Sequence, residues 1–298
     1  MNSEYGSTTY RDDIRQAVRS ILTLKPDLVL VTGDMVAGQW KNLEAAQIRN
    51  MWRSFHDLVT LPLRRAHIPL AVTPGNHDAA PGYELDQQIY ADEWKNRGAL
   101  LARSKEVNSE LIPTDLTRYP FSYSFDMRGV HFVSMNSTFV GGLPRSEREW
   151  LLSDLERATG ANLKIVFGHV PLEPVAVGRE REALFDLNLE RTLYRVGVDY
   201  FIHGHHHAFF PGLLNSKIHQ ISVGALGAGQ RKLIGSNSVS PTSFMMMEIS
   251  HVGGVSIESC VSSDFSLAQN WSDLPTSIEW SRNGEGEVIL KDLDLQNR

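Results

Sequence analysis

The chain has 298 residues, 29 of them basic and 35 acidic, which gives a formal net charge of −6. With 42% apolar and 21% charged residues, its composition is that of a globular protein and excludes disordered, collagen-like and fibrous classes. The single cysteine, Cys260, excludes an internal disulfide scaffold and a cysteine-rich zinc site.

The N-terminal third alternates helical and strand-like patterns. Apolar residues at helical spacing predict an amphipathic helix over 8–24. The continuous apolar run 28–31 predicts a strand that is buried on both faces. A second helix at about 43–59 precedes a second strand at 69–73, and this order of elements favours a largely parallel sheet.

The middle of the chain is less regular. Residues 79–118 are polar and aromatic, and we expect a helix plus an irregular cap over one end of the sheet. Period-two alternation on both sides of Gly129 predicts a hairpin at about 121–135. The α/β alternation then resumes, and 208–259 is strand-like with glycine turns. The elements predicted between them are a helix at 145–158, a strand at 163–167, a helix at 181–195 and a strand at 198–202.

We expect one α/β domain over residues 1–261, with 79–118 as its cap or insertion, and a polar C-terminal extension over 262–298. No apolar run reaches the roughly 20 residues of a membrane helix, so we expect no membrane partner. The first residues lack the apolar core of a signal peptide, which favours a cytoplasmic location. The mild acidity offers no broad basic surface, so nucleic acid is a disfavoured partner.

Potential metal ligands follow four of the predicted strands, each time at a glycine turn. Ligands bind beyond the carboxyl ends of the strands in an open α/β sheet, and glycine lets the chain turn so that the next side chain points over the sheet edge. Alone, Gly-Asp is more typical of a turn and Asn-His-Asp of a helix cap, Gly-His is a weak signal, and the histidine cluster is a stronger one, so the prediction depends on the four together. They are Val31-Thr32-Gly33-Asp34, Pro74-Gly75-Asn76-His77-Asp78, Phe167-Gly168-His169 and Ile202-His203-Gly204-His205-His206-His207.

Imidazole, carboxylate and carboxamide ligands without a thiolate suit Mn, Fe, Zn, Co or Ni. The carboxylate of Asp34 can bridge two ions, and two ions about 3.5–4 Å apart can clamp a phosphate and generate hydroxide near neutral pH. His77, beside Asp78, can act as a general acid or an oriented electrostatic donor. Spacing alone does not choose among the alternating His203, His205 and His207.

The series Gly-Asp, Gly-Asn-His-Asp, Gly-His and Gly-His-His-His resembles the calcineurin-like metallophosphoesterases, over about residues 10–250. The resemblance implies a four-layer αββα sandwich of two mixed β-sheets flanked by helices. It also implies attack by metal-bound hydroxide on a phosphate ester, without a covalent enzyme intermediate. The implied roles are Asp34 as the bridging ligand, Asn76, His169 and His205 as the other ligands of one metal, His207 as a ligand of the second, and His77 as the acid, positioned by Asp78.

One part of the family pattern is absent. The pattern opens with Asp-x-His at the end of a first strand, and here Asp12 and Asp13 lie within a helical pattern without a suitable histidine. We therefore expect a fold without that strand, an uncovered edge on its neighbour, and a second metal site reduced to Asp34 and His207. Three accounts stay open: an N-terminally truncated sequence, a natural single-metal variant, and a degenerate member that binds without catalysing.

The sequence thus predicts a metal-dependent hydrolase of a small phosphomonoester or phosphodiester. The alternative is a truncated or degenerate, non-catalytic, metal-stabilised binding module. Two metal ions belong to the complete family site, and this chain has ligands for one complete site. Arg145, Arg148 and Arg179 are candidates for phosphate contact, although each is more typical of a solvated surface charge. The sequence gives no oligomeric state.

Overall fold

The computed structural model describes residues 4–95, 110–212, 218–250, 253–262, 264–268, 274–275, 278–281 and 287–290. Its helices are α1 (Asp12–Leu24), α2 (Ala45–Phe55), a π-helical turn (His56–Thr60), α3 (Leu61–Arg65), α4 (Asn76–Ala79), α5 (Glu84–Glu93), α6 (Arg145–Arg157) and α7 (Leu187–Arg195). Its strands are β1 (Val29–Val31), β2 (Leu70–Val72), β3 (Leu111–Arg118), β4 (Ser122–Met127), β5 (Val130–Ser134), β6 (Leu163–Gly168), β7 (Tyr200–His203), β8 (His219–Ser222), β9 (Ser243–Ile249), β10 (Val255–Val261), β11 (Leu267–Ala268), β12 (Ile278–Ser281) and β13 (Glu287–Leu290).

The largest sheet has six strands in the order β3-β4-β5-β6-β7-β8. Strands β3 to β5 are antiparallel, and β5 to β8 are parallel. The predicted hairpin is confirmed: Met127 pairs with Val130 across Arg128 and Gly129, whose φ angles of 49° and 81° are those of a type I′ turn. This sheet is therefore mixed, as predicted.

A second β layer packs on one face of the six-stranded sheet. It consists of the parallel pair β1-β2 and the antiparallel sheet β11-β10-β9. Leu30 of β1 and Met245 and Met247 of β9 join the same apolar cluster as Phe125 and Ile202 of the large sheet. Within the described residues this layer is divided into these two parts.

A cavity of about 1160 Å³ lies between the two parts of the second layer. Successive residues of 28–34 and of 243–250 line it. Successive side chains of a strand point to opposite faces of its sheet, so a cavity on one face would be lined by every second residue. Because consecutive residues line this cavity, it lies along the edges of the strands. Among the described residues β1 pairs with β2 alone, which agrees with the expected uncovered edge.

Helices cover both outer faces. Ile14 of α1, Met51 and Trp52 of α2 and Tyr90 of α5 form the buried cluster outside β1 and β2. Leucines of α6 and α7, such as Leu151, pack on the opposite face of the large sheet. Each fully buried side chain of this size contributes about 1.5–3 kcal/mol. The mixed α/β sandwich with flanking helices is therefore confirmed.

Two predicted segments differ in the structure. The helix predicted at 181–195 begins at Leu187, because Asp186 caps it by accepting a hydrogen bond from the Leu189 amide at 2.9 Å. The irregular cap predicted for 79–118 is wrong at its C-terminal end, since β3 forms an edge strand of the large sheet. Pro113 obscured this strand, but an edge strand tolerates proline. Residues 96–109 lie outside the described residues.

The described part of the C-terminal extension contains two strand pairings. Strand β11 pairs with β10, and β12 pairs with β13. The extension therefore begins as a continuation of the small antiparallel sheet. No helix within the described ranges combines the length and apolar character needed to cross a bilayer.

Candidate metal centre

Two glycines allow the loops after β1 and β2 to meet. A Cβ atom on Gly33 would lie 2.6 Å from the Cα of Gly75. A Cβ on Gly75 would lie 2.2 Å from the backbone nitrogen and Oδ1 of Asp34. Gly33 also has a φ of +91°, which strongly favours glycine. The glycine turns noted in the sequence therefore serve close backbone approach as well as direction.

Asp34 stands at the centre of the resulting site. Its Oδ1 accepts the backbone N–H of His77 at 3.0 Å, and its Oδ2 lies 3.3 Å from Nε2 of His169. Burial alone would raise the pKa of Asp34, but the facing His169 and the charge of His77 hold this pKa well below its ordinary value. Asp34 is therefore a carboxylate with one oxygen engaged by the backbone and the other directed at the imidazole.

Hydrogen bonds on the side away from the site fix the orientations of His169 and Asn76. The carbonyl of Thr32 can only accept, so Nδ1 of His169 carries a proton and donates to it at 2.7 Å. The Nδ2 group of Asn76 donates to Oε1 of Gln39 at 2.8 Å, which turns Oδ1 of Asn76 inward. That oxygen lies 2.9 Å from Nε2 of His169.

His205 completes the site from the turn after β7. Its Nε2 donates to the Glu182 carboxylate at 2.9 Å, and its Nδ1 lies 3.2 Å from Nε2 of His169. His205 has a φ of 65°, which non-glycine residues seldom adopt. Asp34, His169 and His205 lie close enough together to share one metal ion.

This donor set fits a divalent cation. With their outer nitrogens donating to Thr32 and Glu182, the neutral imidazoles of His169 and His205 direct lone pairs at each other. Oxygens of Asp34 and Asn76 face the same space. Lone pairs pointed at one another repel unless a cation lies between them, and carboxylate or carbonyl support behind ligating histidines is typical of metal sites. Burial alone would lower the pKa of His169, but the charge of the facing Asp34 outweighs burial and raises this pKa.

The other histidines of the last motif have different positions. His207 lines the same cavity as the site, and its Nδ1 donates to the carbonyl of Gly229 at 2.9 Å, but it is not among the three residues grouped at one metal position. Burial lowers the pKa of His207 to about 4, so its Nε2 is unprotonated near neutral pH. His203 bonds the carbonyl of Gly204, and His206 bonds that of Glu182, so both have structural contacts.

His77 and Asp78 differ from the expected pair. Nδ1 of His77 lies 3.4 Å from the Gly38 carbonyl, and the imidazole is partly exposed at the edge of the site. The hydrogen bonds of Asp78 instead come from the backbone N–H groups of Met35, Val36 and Gly75, at 2.8–3.0 Å. The expectation that Asp78 positions the imidazole of His77 is therefore wrong. Asp78 instead clamps the loop after β1 to the loop after β2.

Glu182 is the functional candidate that the sequence did not reveal. It lies in the irregular segment before α7 and touches His205 only through the fold. Its hydrogen bond to His205 and its contact with Arg179 lower its pKa to about 2. Of the three candidate arginines, Arg179 alone is shown next to this group, whereas Arg145 pairs with Glu149 and Arg148 with Asp186.

The fold and these donors define an α/β protein with a nitrogen- and oxygen-lined candidate metal site at its strand ends. The family model of the calcineurin-like phosphoesterases matches residues 9–209, and the chain belongs to this family. It is 23% identical over 307 aligned positions to an Arabidopsis thaliana protein described as a metallophosphoesterase. That alignment covers 96% of this chain and 38% of the plant protein, so the chain spans about two fifths of its relative's length.

Two solved structures, with TM-scores of 0.59 and 0.55, support the same fold. A purple acid phosphatase from seeds of yellow lupin (Lupinus luteus) is 18% identical with a TM-score of 0.59, over 89% of this chain and 48% of the lupin chain. A Plasmodium protein described as the anchor in the inner membrane complex is 15% identical with a TM-score of 0.55, over 90% of this chain and 86% of that one. A dimetal phosphatase from Danio rerio is 16% identical over 79% of this chain and 84% of its own, with a TM-score of 0.48.

Proposed function

We propose that this chain is a metal-dependent phosphoesterase that hydrolyses a small phosphomonoester or phosphodiester with activated water. The observation that carries the proposal is the set of converging lone pairs from Asp34, Asn76, His169 and His205 at the strand ends. Membership of the calcineurin-like phosphoesterase family supports the same reaction type.

The four ligands would hold one divalent ion, and we propose Mn, Fe, Zn, Co or Ni for this nitrogen and oxygen set. Such an ion would supply a positive charge for the phosphate and would lower the pKa of a water molecule there. Asp34 and His207 line the same cavity and are the residues available to a second ion. Glu182 and the Thr32 carbonyl hold the two imidazoles in the tautomers that direct lone pairs inward.

His77 is the proton donor in this proposal. Its backbone N–H is tied to Asp34, which places the residue against the metal position. Its partly exposed imidazole would deliver a proton to the leaving oxygen of the ester, as a general acid does. A general acid of this kind contributes about 10²–10⁴-fold to the rate.

The direct test uses purified protein loaded with Mn²⁺, assayed on p-nitrophenyl phosphate and on bis(p-nitrophenyl) phosphate. We expect metal-dependent turnover of at least one of the two esters. His77→Ala should reduce kcat by roughly 10²-fold or more while the bound metal stays within twofold of the wild type. The exposed His67 provides the matched control, and His67→Ala should leave both quantities unchanged.

The same experiment separates the enzyme from the alternative. A folded protein that binds Mn²⁺ but turns over neither ester would refute the catalytic proposal and favour a metal-stabilised binding module. An equal loss of metal and turnover in His77→Ala would contradict the role of His77 as an acid and make it a ligand or a structural residue.

A further inference from the structure

Two half-exposed aromatic side chains stand beside His77. Tyr5 is 50% exposed and Trp40 is 48% exposed. Their ring centroids are 5.4 Å apart with the planes at 86°, and the Tyr5 ring is also 5.4 Å from the ring of His77. Aromatic side chains of this size are usually buried, so a contacting pair left half in solvent beside the proposed acid is a candidate binding surface.

The backbone that carries both rings is tied to the backbone of the candidate metal site. The Gly6 amide, next to Tyr5, donates to the Ala37 carbonyl at 2.8 Å. Gln39, next to Trp40, accepts the hydrogen bond that orients Asn76. The segment 35–38 between them is anchored by Asp78 and by the hydrogen bond from the Gly38 amide to the His77 carbonyl at 3.1 Å. The position of the two rings is therefore coupled to that of the site.

The proposed chemistry places the leaving group at these rings. If His77 protonates the leaving oxygen, the group attached to that oxygen lies beside the His77 imidazole. Tyr5 is in ring contact with that imidazole, so the leaving group extends towards Tyr5 and Trp40. A planar ring can stack there, whereas a sugar or an alkyl chain offers no π-face.

We propose that Tyr5 and Trp40 form a stacking platform that selects phosphate esters whose leaving group carries a planar aromatic ring, as in a nucleoside phosphate. This platform rests on the proposed phosphoesterase function and narrows its substrate class. Stacking of a base on an aromatic side chain favours binding by roughly fivefold or more. The preference appears mainly in KM and in the dissociation constant, because the platform lies away from the reacting phosphorus.

Adenosine 5′-monophosphate and ribose 5-phosphate are the matched probes, because both release a primary 5′-oxygen of ribose and differ at C1′, where one carries the base and the other a hydroxyl. The wild-type protein with Mn²⁺ should show a ratio of kcat/KM for the two that is roughly fivefold or more in favour of the nucleotide. Trp40→Leu and Tyr5→Leu should move that ratio towards one, mainly through KM. Tyr5→Phe should keep it, because it retains the ring.

Tyr194 is the matched control, since it is 47% exposed on α7 and is not among the ring contacts shown for Tyr5 and Trp40 within the described residues. Tyr194→Leu should preserve the ratio and the melting temperature. Equal kcat/KM values for both probes in the wild type, or a Trp40→Leu variant that loses both activities equally, would overturn the platform.

Calorimetric binding of the two probes to the Mn²⁺-loaded protein tests the stacking platform independently of the proposed phosphoesterase activity. If neither probe is hydrolysed, the phosphoesterase proposal fails for these substrates. Tighter binding of the nucleotide that disappears in Trp40→Leu would still support the platform, and equal binding of both probes would refute it.

Discussion

Replacing Glu182 tests how the metal centre is held together. In Glu182→Ala, Nε2 of His205 loses the carboxylate that accepts its proton at 2.9 Å and fixes which nitrogen faces the site. Such partners behind a ligating histidine are worth 10–100-fold in metal affinity, which is about 1.4–2.7 kcal/mol. His205 is 7% exposed, so water replaces the lost carboxylate poorly, and we expect a loss near the upper end. Glu182→Gln keeps an oxygen acceptor but not the charge, and we expect about a tenfold loss.

Titration calorimetry of Mn²⁺ into metal-free protein measures this effect directly. Glu180 is the matched control, because it is two residues away and its Oε1 accepts only the Gly178 amide among the hydrogen bonds shown for it. Glu180→Ala should bind Mn²⁺ like the wild type. A folded Glu182→Ala protein whose affinity stays within twofold of the wild type would show that His205 is oriented without Glu182, and the carboxylate would then have no role at the metal.

Three further changes test neighbouring features. Gly75→Ala places a methyl group 2.2 Å from backbone and side-chain atoms of Asp34 and should abolish Mn²⁺ binding, whereas Gly160→Ala meets no atom within 4 Å and should bind normally. Asp78→Ala leaves three buried N–H groups without their acceptor, at about 1–3 kcal/mol each, and should lower the melting temperature by at least 5 °C; an unchanged value would contradict the clamp. Burial alone would lower the pKa of His131, but two carboxylates beside it outweigh burial and raise this pKa. The stabilisation of the fold by protonated His131 is therefore complete below the ordinary pKa of about 6.5. It is lost as the pH rises through the raised pKa. Melting temperatures of the wild type minus those of His131→Gln should therefore fall between pH 6 and 9, and a flat difference would count against this ion pair.

The sequence predicted the parts of the site that have local signals. A buried apolar run followed by glycine and a polar residue marks a strand end, and four such ends predicted that Asp34, the loop 74–78, His169 and the histidines of 203–207 would converge. The family resemblance then selected Asn76 and His205 from these segments as ligands. Local patterns also predicted a largely parallel sheet, from the alternation of strands and helices, and the hairpin, from period-two alternation around Gly129. These features depend on residues within a few positions of one another.

The rest depends on contacts that local patterns do not encode. Glu182 reaches His205 across 23 positions of sequence. Asp78 follows His77 directly, but its short side chain turns to the amides of a loop 42 and 43 residues away. In the sequence, Tyr5 and Trp40 have no pattern that distinguishes them from other surface aromatic residues. The fold brings the two rings together, with Tyr5 against the imidazole of His77.

The division of the second β layer bears on what holds the molecule together. Asp34 and Asn76 come from the loops after the narrow β1-β2 pair, while His169 and His205 follow strands of the large sheet. An ion bound by all four would pin one layer to the other, so slippage between the layers would be linked to metal occupancy. At 100 times its dissociation constant, such an ion adds about 2.7 kcal/mol to the free energy of unfolding. The ion would cross-link the two β layers beside the cavity. Chelation would therefore lower the free energy of unfolding as well as remove the proposed activity.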